Sequence, residues 1–585
     1  MQMLKNKIRL LYAGATAAIL LSGIGACNKA FLDQQTTGLL TETELQSKKG
    51  AEQLLIGTYG AIKGIGWEGG SQNWVYGSIV GLEANKGSDA GDQADINPIQ
   101  QYSALPGNNF FNVKWRAVYE GVARANATIR IATALSDEDI SADEKNQILA
   151  EARFLRGFYH LEAKKMWNNI PFVNETVKYG ESTLADVGNT TDAWPMIMED
   201  LQFARTTLTP TKTQIGRVNK WAADAFYAKA LMFQQKYAEA LPIFTDVITN
   251  GVTAGNVKYG LAPAFHDNFN AEKETDARSE SVLAYEASIN DGSGGFNANY
   301  EHILNFPYNN GPGGCCGFFQ PSFSFVNAFR TNGGLPLLDY SFNSPANEVE
   351  HDLGLEVTDA FTPDPGPLDP RLDWTVGRRG IPFLDWGPHP GKSWIRDQGN
   401  GGPFTPKKMS YYLSQQGEFT DKTSWTSGLT STNYKLMRFA DVLLMAAEAE
   451  IEVGSIPTAL GYINQIRARA AKPETWVKTA GNADAANYVI NLYPGFASQD
   501  EARRAVRMER LLELGMEGHR FFDLVRWGIA EQEINTLLPH EKSKLPAPYG
   551  TGTFQAKHNY FPIPQRQIDL QQESGTSTLT QNEGY

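Results

Sequence analysis

Residues 148–166, ILAEARFLRGFYHLEAKKM, form the clearest helical pattern in the chain. Their apolar residues recur at steps of three or four, at Ile148, Ala152, Leu155, Tyr159, Ala163 and Met166. Because an α-helix turns once every 3.6 residues, this spacing places a single apolar stripe along one helix face. The sequence therefore predicts a long amphipathic helix whose apolar stripe is buried.

Further helical patterns lie on both sides of this helix. One runs through Trp115, Val118, Tyr119, Val122 and Ile129. Two helix pairs follow, at Trp221–Gln235 with Tyr237–Ile248 and at Phe439–Val453 with Pro457–Ala470. The recognisable organisation of the chain is thus mostly helical.

An alanine spacing is shared by the two predicted helix pairs. Ala228 precedes Ala240 by twelve positions, and Ala447 precedes Ala459 by the same interval. Small residues at such positions let two helices approach closely, and the spacing is typical of tetratricopeptide hairpins. Any alanine-packed helical hairpin is the alternative for one pair alone, but the repetition favours the tetratricopeptide-like interpretation.

The amino-acid composition changes between the helical blocks. Residues 64–114 and 251–430 are rich in Gly, Pro, Asn and Asp, with isolated aromatic residues and weak periodicity. Such stretches predict long ordered loops and short strands, because aromatic residues are too frequent for disorder. The predicted fold class is therefore mostly α: a tetratricopeptide-like helical-hairpin scaffold with a loop-rich, irregular part that contains short strands. Loops on a rigid frame are the usual place for recognition.

The N-terminus has the pattern of an export signal. Lys5, Lys7 and Arg9 are followed by a short apolar stretch, 10–21, and then by Cys27. The apolar stretch is too short to span a membrane. The sequence 24–27, IGAC, resembles a bacterial lipobox, so residues 1–26 are predicted to be a signal peptide and Cys27 to carry the lipid. A secretory signal with a chance cysteine is the alternative.

Charge and motif searches exclude several function classes. The 585-residue chain has a net charge of −13, which argues against nucleic acid as a partner. Nothing in the chain matches HExxH, GxSxG or a phosphate loop. Asp89, Asp92 and Asp95 lie three apart, which is wrong for an EF-hand and favours a solvated turn over a calcium site. We therefore predict no catalytic residues, no cofactor and no metal.

Two adjacent cysteines remain after Cys27. Cys315 and Cys316 lie in the glycine-rich stretch 311–317, GPGGCCG. Flanking glycines tolerate the unusual backbone of a vicinal disulfide. From the sequence, a disulfide between them and two free thiols are equal alternatives.

Alternating charges occur on apolar helical stretches near the C-terminus. They are Glu509, Arg510, Glu517, Arg520, Asp523 and Arg526. Such residues in a helical array are more often buried ion pairs that fix helix register than a catalytic set. We interpret them as scaffold.

Several blocks resemble one family when they are taken in order. They are AEARFLRGFYHL at 150–161, WRAVY at 115–119, RFADVLLMAAEA at 438–449, RMER at 507–510, EGHRFFDLVRWG at 517–528 and the ending QNEGY at 581–585. They resemble the conserved blocks of the SusD-like (RagB/SusD) outer-membrane nutrient-binding lipoproteins of Bacteroidetes-type bacteria. The resemblance extends from Cys27 to Tyr585.

The resemblance implies an organisation and a function. It implies a signal peptide at 1–26, an N-terminal helical region at 27–250, a loop-rich ligand-binding region at 251–430 and a C-terminal helical region at 431–585. Such a protein captures a nutrient, most often an oligosaccharide and sometimes a peptide, and performs no chemistry. The implied partner is a SusC-like TonB-dependent outer-membrane barrel, and the implied location is the outer membrane, lipid-anchored and facing the cell exterior.

Sugar recognition requires aromatic faces together with polar side chains for the hydroxyls. The loop regions offer the following candidates: Trp67, Asn73, Trp74, Tyr76, Asp89, Gln101, Tyr102, Asn108, Tyr308, Phe318, Trp386 and Trp394. For any one of them, packing in the core is the more frequent role, but a few are expected to line the site.

Two other function classes remain open at this point. A surface glycoside hydrolase requires two carboxyl groups about 5–10 Å apart in a cleft. A helical-repeat scaffold for another protein requires an exposed apolar groove. Nothing local in the sequence points to either feature.

Overall fold

The computed structural model of the protein describes residues 44–64, 73–177, 187–573, 575 and 578–585. Cys27, the predicted signal peptide and Trp67 lie outside these ranges. Every helix within the described ranges is too short or too polar to cross a bilayer.

The predicted mostly helical fold class is confirmed. The longer helices are α1 Lys48–Gly60, α2 Asn109–Ala134, α3 Ala142–Trp167, α4 Trp194–Thr207, α5 Lys220–Phe233, α6 Tyr237–Asn250, α7 Phe439–Val453, α8 Ile456–Ala470, α9 Gln499–Leu514, α10 Arg520–Arg526, α11 Ala530–Lys544 and α12 Gln565–Glu573. Short helical turns include Ile96–Gln100, Phe323–Asn327, Leu372–Thr375, Gln398–Gly401 and Pro546–Tyr549.

The helix predicted from residues 148–166 is α3. It begins after Ser141, whose hydroxyl accepts the backbone N–H of Glu144, and Asp143 and Glu144 lie in its first turn. Acidic residues there interact favourably with the positive end of the helix dipole. The helix ends at Asn168, where the chain turns into a left-handed conformation with φ +56°. The six residues that define the predicted stripe are all buried.

The helices form a continuous stack. From α1 to α6 each helix packs against the next, and α6 packs against α7 although 188 residues separate them in sequence. Helix α7 then packs against both α8 and α9. Ala228, Ala240, Ala447 and Ala459 are fully buried in the two predicted hairpins. The alanine spacing therefore marks two close helix contacts, as predicted.

Strands are short and occur in antiparallel pairs. They are β1 Ala84–Gly87, β2 Ser281–Tyr285, β3 Phe318–Pro321, β4 Thr331–Asn332, β5 Leu335–Pro336, β6 Val376–Gly377, β7 Thr405–Pro406 and β8 Tyr434–Arg438. The pairs are β1 with β3, β2 with β8, β4 with β5 and β6 with β7. In the β2–β8 pair, Ser281 lies opposite Arg438. The chain therefore leaves the helical stack near β2 and returns beside it through β8.

The prediction of a loop across residues 64–114 is wrong in part. Within this range the structure has a π-helical turn, Trp74–Ile79, and α2 already begins at Asn109. The turn is buried, and Gly77 touches the backbone of Gly518: a Cβ added at Gly77 would lie 1.9 Å from the Gly518 carbonyl oxygen. Glycine and aromatic residues in this stretch therefore reflect close core packing, which composition alone does not distinguish from a loop.

We term the part of the chain between β2 and β8 the middle segment. Charged side chains form a buried network between this segment and the C-terminal helices. The buried charge network consists of Glu280, Asp369, Arg371, Lys408, Arg438, Arg467, Arg469, Glu509, Glu513 and Glu517. Its five cations and five carboxylates balance. Arg438, at the end of β8, donates to Glu513 Oε1 at 3.0 Å and to Glu517 Oε2 at 2.8 Å. Arg469 donates to Glu280 Oε2 at 2.8 Å.

Two further arginines extend the network: Arg371 in the segment between β2 and β8, and Arg467 on α8. Arg371 reaches Asp369 Oδ2 at 2.7 Å and Glu509 Oε1 at 2.6 Å. Arg467 reaches the second oxygen of Glu509 at 2.9 Å. Burial alone favours the neutral carboxyl, but the guanidinium groups of Arg469, Arg438 and Arg371 hold the pKa of Glu513 below its ordinary value. Glu513 is therefore kept ionised by its pairing with the arginines of the network.

A second set of buried pairs joins helices within the stack. Arg510 of α9 donates to Asp441 of α7 at 2.8 Å and to Asp523 of α10 at 2.9 Å. Lys229 of α5 donates to the other oxygen of Asp441 at 2.9 Å. Arg526 reaches Glu448 of α7. The prediction that the alternating charges near the C-terminus form buried ion pairs is confirmed.

Replacement of Glu513 tests the buried charge network. Glu513→Gln leaves the guanidinium groups of Arg438 and Arg469 short of one negative charge in a buried site. We expect the free energy of unfolding to fall by about 3–5 kcal/mol, measured by chemical denaturation. Asp500→Asn on the same helix is the control and should change stability little, because Asp500 is exposed. Equal losses in the two variants would contradict the role given to the network.

Candidate functional site

Five loops join in one continuous surface on the loop-rich part of the protein. We term it the loop face and define it by residues 88–92, 290–300, 306–317, 394–396 and 421–428. It is held together by backbone and side-chain hydrogen bonds between loops that are far apart in sequence. Its exposed groups are aromatic rings, a guanidinium, two carboxylates and the cysteine pair.

Three of the loops, 88–92, 306–317 and 394–396, are fixed to each other through their backbones. The N–H of Ser88 donates to the carbonyl oxygen of Gly317 at 2.5 Å. The N–H of Tyr308 donates to the carbonyl oxygen of Trp394 at 2.8 Å. The loop that carries the cysteine pair is therefore fixed at both ends.

The remaining two loops are fixed in a similar way. The Thr426 hydroxyl donates to the carbonyl oxygen of Gly313 at 2.8 Å. The backbone N–H of Asn290 donates to Asp421 Oδ2 at 2.9 Å. Lys422 in turn donates its backbone N–H to Asn290 Oδ1 at 2.9 Å. The loop 421–428 thus bridges the 290–300 loop and the cysteine loop.

Arg396 joins three of the loops through its side chain. It lies 2.6 Å from Asp89 Oδ2 and 2.5 Å from Asp92 Oδ2, and it donates to the Ser88 hydroxyl at 2.9 Å. Its guanidinium carbon is 5.7 Å from the centre of the Tyr308 ring. The pKa of Asp89 is held below its ordinary value, chiefly because its carboxylate accepts the backbone N–H of Asp92. These contacts pair both carboxylates with one guanidinium and orient them beside an aromatic ring.

A lysine ammonium fills the turn that carries the two aspartates. Lys86 Nζ donates to the carbonyl oxygens of Asp89 at 2.7 Å and Asp92 at 2.6 Å, with that of Ala90 at 3.4 Å. Lys86 exposes 2 % of its surface, and burial lowers its pKa to about 8. An internal cation therefore lies where the turn's carbonyl oxygens converge. In the part of the chain that the structure describes, no cluster of three or more His, Cys, Asp or Glu side chains has the geometry of a metal site.

Cys315 and Cys316 form a vicinal disulfide in the structure. Of the two alternatives that the sequence leaves open, the structure therefore contains the disulfide. Both residues are half-buried, and Cys316 packs against the hydrophobic core. Gly313 has φ +81°, and an added Cβ there would lie 2.6 Å from the Phe306 side chain, so this position requires glycine.

Exposed aromatic rings complete the loop face. Trp425 exposes 65 % of its surface and Phe296 exposes 51 %. Phe296 packs edge-on against Tyr300 at 6.0 Å, and the ammonium of Lys63 lies 3.4 Å from the centre of its ring. Large rings left in water on ordered loops are the groups that a planar sugar face can cover.

Sequence reasoning missed Arg396, Phe296 and Trp425 as site candidates. Trp425 had a readable signal, since it lies in the small polar run 423–428, TSWTSG, where no apolar neighbour indicates a core position. Arg396 had none, because its partners Asp89 and Asp92 lie about 300 residues away.

Several sequence-predicted site residues lie on the loop face. Asp89 and Tyr308 are brought together by Arg396, and the disulfide is beside them in the same loop as Tyr308. Trp394 lies directly beneath: its backbone fixes Tyr308, while its ring is buried against Phe383.

Other predicted residues are core residues in this structure. Trp74 exposes 3 % of its surface and packs on Phe318, which is also buried, at 6.4 Å. The Tyr76 hydroxyl donates to the Phe110 carbonyl oxygen at 2.9 Å. The Tyr102 hydroxyl donates to Val80 at 3.0 Å. A ring without a free face cannot stack on a sugar, so the expectation of ligand contact is corrected for these four.

The remaining predicted residues hold the scaffold. Asn73 is buried between Glu162 and Lys114, at 3.1 and 3.2 Å. Gln101 donates to the Pro548 carbonyl oxygen at 3.1 Å, and Asn108 caps α2. Trp386 is half-buried and donates its indole N–H to the Tyr411 carbonyl oxygen at 3.0 Å. Trp67 lies outside the described residues.

Removal of the Lys86 ammonium tests its role in the turn. Lys86→Met leaves the carbonyl oxygens of Asp89 and Asp92 without their donor, so the free energy of unfolding should fall by about 1–3 kcal/mol. Hydrogen exchange at the Gly91 and Asp92 amides should become faster. Lys422→Met, on an exposed part of the loop face, is the matched control. Recovery of the Lys86→Met variant in calcium chloride, without a similar effect on the control, would show that the turn is a metal site instead.

Comparison with family models identifies two matches along the chain. Residues 279–585 match the model described as "SusD family". Residues 31–232 match the model described as "Starch-binding associating with outer membrane". The first match alone covers more than half of the chain.

Relatives and solved structures agree with these models. A SusD-like protein of Formosa agariphila is 24 % identical over 533 residues, which are 87 % of this chain and 88 % of the relative. A solved laminarin-binding SusD-like protein has a TM-score of 0.63 and 19 % identity, covering 92 % of this chain and 100 % of its own. Surface glycan-binding protein A from Bacteroides uniformis has a TM-score of 0.63 and 21 % identity, covering 92 % and 99 %. These structures share the fold.

Proposed function

The chain belongs to the SusD family, and from this premise we propose that it is a cell-surface protein that captures an oligosaccharide on its loop face. The observations that carry the proposal are the exposed rings of Trp425 and Phe296 and the half-buried ring of Tyr308, whose centre lies 5.7 Å from the guanidinium carbon of Arg396. Aromatic faces cover the apolar side of a sugar ring, while the guanidinium and carboxylates bond to its hydroxyls. The laminarin-binding and glycan-binding relatives support the same ligand class.

The charges of the loop face favour a neutral glycan. Arg396 is paired with Asp89 and Asp92, and Lys86 lies beneath them, so these four charges cancel. The whole chain carries a net charge of −13. A uronate-rich or sulfated polymer would meet long-range repulsion without a free cation in this cluster to offset it. A neutral oligosaccharide meets no such penalty.

Binding without turnover is the second part of the proposal. The general acid of a glycoside hydrolase needs a carboxyl group whose pKa is raised toward neutrality. The pKa of Asp89 is instead lowered, first by the backbone N–H of Asp92. The hydrolase alternative therefore finds no support among the carboxylates of the loop face.

Delivery to a transporter completes the proposed role. The family model that matches residues 31–232 is described as associating with the outer membrane. We infer that a lipid on Cys27 holds the protein to that membrane and that the captured ligand passes to a SusC-like TonB-dependent barrel. A lipid anchor keeps the protein at the membrane while the loop face approaches and leaves the barrel.

Glycan titration tests the ligand and the site together. The soluble chain that lacks residues 1–27 is titrated with neutral glucans such as laminarin and starch oligosaccharides, and binding is measured by calorimetry. We expect Trp425→Ala and Tyr308→Ala each to weaken binding at least fivefold, because each removes a stacking face worth about 1–3 kcal/mol. Trp194→Ala, which removes a half-buried tryptophan from α4 outside the loop face, should bind normally.

Three results would contradict the proposal in different ways. Unchanged affinity in both loop-face variants would move the binding site elsewhere. Release of reducing ends during the titration would make the protein a hydrolase. A peptide library that binds where no saccharide does would replace the ligand class.

Replacement of Cys27 tests the anchor. In the native host, Cys27→Ser should leave the protein unlipidated, so that detergent extraction of outer membranes no longer recovers it. Cys315→Ser is the matched control, since it removes a cysteine outside the lipobox and should leave membrane recovery unchanged. An unlipidated protein that remains with the membrane would show that another contact holds it there.

A further inference from the structure

A cavity of about 380 Å³ lies apart from the loop face, among helices of the C-terminal region. Its walls come from α9, α10 and α11 and from the segment 338–342. Leu338, Met508, Ile529 and Leu537 give it an apolar interior, and Phe325 and Phe342 add aromatic rings. Its volume is in the range of small-molecule sites, and its mouth is lined by exposed groups that include Asp339 and Gln532.

One arginine of the cavity has no close ion pair within the described residues. Arg507 of α9 forms no ion pair or hydrogen bond with any residue in the described ranges, although it is half-buried. Its guanidinium lies 5.0 Å from the Trp527 ring, which leaves its hydrogen-bond donors unused. Burial lowers the pKa of Arg507, whereas its neighbours Arg510 and Arg526 have raised pKa values because buried carboxylates surround them.

The other cations of the cavity are already paired, and the carboxylate of Asp339 at the mouth accepts hydrogen bonds from Ser341. Arg520 pairs with Glu533, and the other oxygen of Glu533 accepts the hydroxyl of Tyr340. Arg504, at the mouth, lies 3.3 Å from the exposed Asp500. Arg507 is therefore the cation of the cavity whose hydrogen-bond donors are unused, although Glu448 and Glu452 offset part of its charge from a distance.

Tyr340 is held over the cavity by an unusual backbone. Its φ is +61°, a left-handed conformation that tyrosine rarely adopts. The segment that carries it turns at this point, and the hydroxyl is fixed on Glu533. Non-glycine residues in this region are concentrated at ligand sites, where the surrounding structure maintains them.

We propose that this cavity is a second binding site, which takes a small organic carboxylate with an apolar body. The carboxylate pairs with the guanidinium of Arg507, whose planar donors match its two oxygens. The apolar body fills the space between Leu338, Met508 and Leu537. An inorganic anion would satisfy the charge but leave this apolar space empty. The proposal is independent of the loop face and of its ligand.

Three probes test the charge and the shape of the ligand. The soluble chain that lacks residues 1–27 is titrated with 3-phenylpropanoate, with its uncharged amide and with glucuronate, and binding is followed by ligand-observed NMR. We expect saturable binding of 3-phenylpropanoate and at least tenfold weaker binding of the amide. Glucuronate should also bind at least tenfold more weakly, because its hydroxyls find few partners on an apolar wall.

Variants locate the binding in the cavity. Arg507→Gln should weaken 3-phenylpropanoate binding at least tenfold, and Arg507→Lys should weaken it less. Arg503→Gln is the matched control, since Arg503 lies on the same helix, pairs with Glu452 and does not line the cavity. Leu338→Trp fills the half-exposed mouth without altering Arg507, so it tests the site even if the Arg507 variants fold poorly. Circular dichroism verifies each fold.

Several outcomes of these titrations would contradict the proposal. Absence of saturable binding to the parent chain would overturn the proposal, and so would equal binding of the amide. Retained affinity in both Arg507→Gln and Leu338→Trp would place the carboxylate elsewhere. Stronger binding of glucuronate than of 3-phenylpropanoate would overturn the apolar-body assignment.

Discussion

The buried charge network is the constraint on which the placement of the loops over the helices depends. Glu280 lies immediately before β2 and Arg438 lies at the end of β8, so both chain connections of the middle segment are included in it. Burying ten charged groups is costly, and the cost is offset only when each meets its partner in good geometry. Few alternative arrangements of the middle segment relative to the helices satisfy that condition. The network thus contributes more to the uniqueness of the arrangement than to net stability.

The rigid attachment of the loops affects how strongly the loop face can bind a ligand. The loops there have little regular structure, and the adjoining strands β1 and β3 are only four residues long each. Their order comes from cross-loop hydrogen bonds, from the Lys86 ammonium and from Arg396. A surface held in this way loses little conformational entropy when a ligand binds, which favours affinity for a flexible oligosaccharide.

The sequence predicted the helices well because their signal is local. The bounds of α7 and α8 agree with the predicted pair to within one residue, and the alanine spacing identified both hairpins. The ion pairs near the C-terminus were also predicted, because alternating charges within apolar helical stretches are a local pattern. A local pattern did not distinguish buried from exposed aromatic residues. Trp74 and Trp425 have similar glycine- and serine-containing neighbours in sequence, yet Trp74 packs on Phe318 in the core and Trp425 is exposed to water. Arg396 could not be found, because its role is set by contacts with residues about 300 positions away.

The pairing of β2 with β8 also bears on how such a protein diversifies. A segment that departs from a scaffold and rejoins it at adjacent strands is attached like a domain insertion, whose length and sequence can change without displacing the helices on either side. Under the proposed function, changes in ligand preference are expected mainly in the inserted segment, while the helical stack keeps the same outer surface. The two regions can then change in sequence independently of one another.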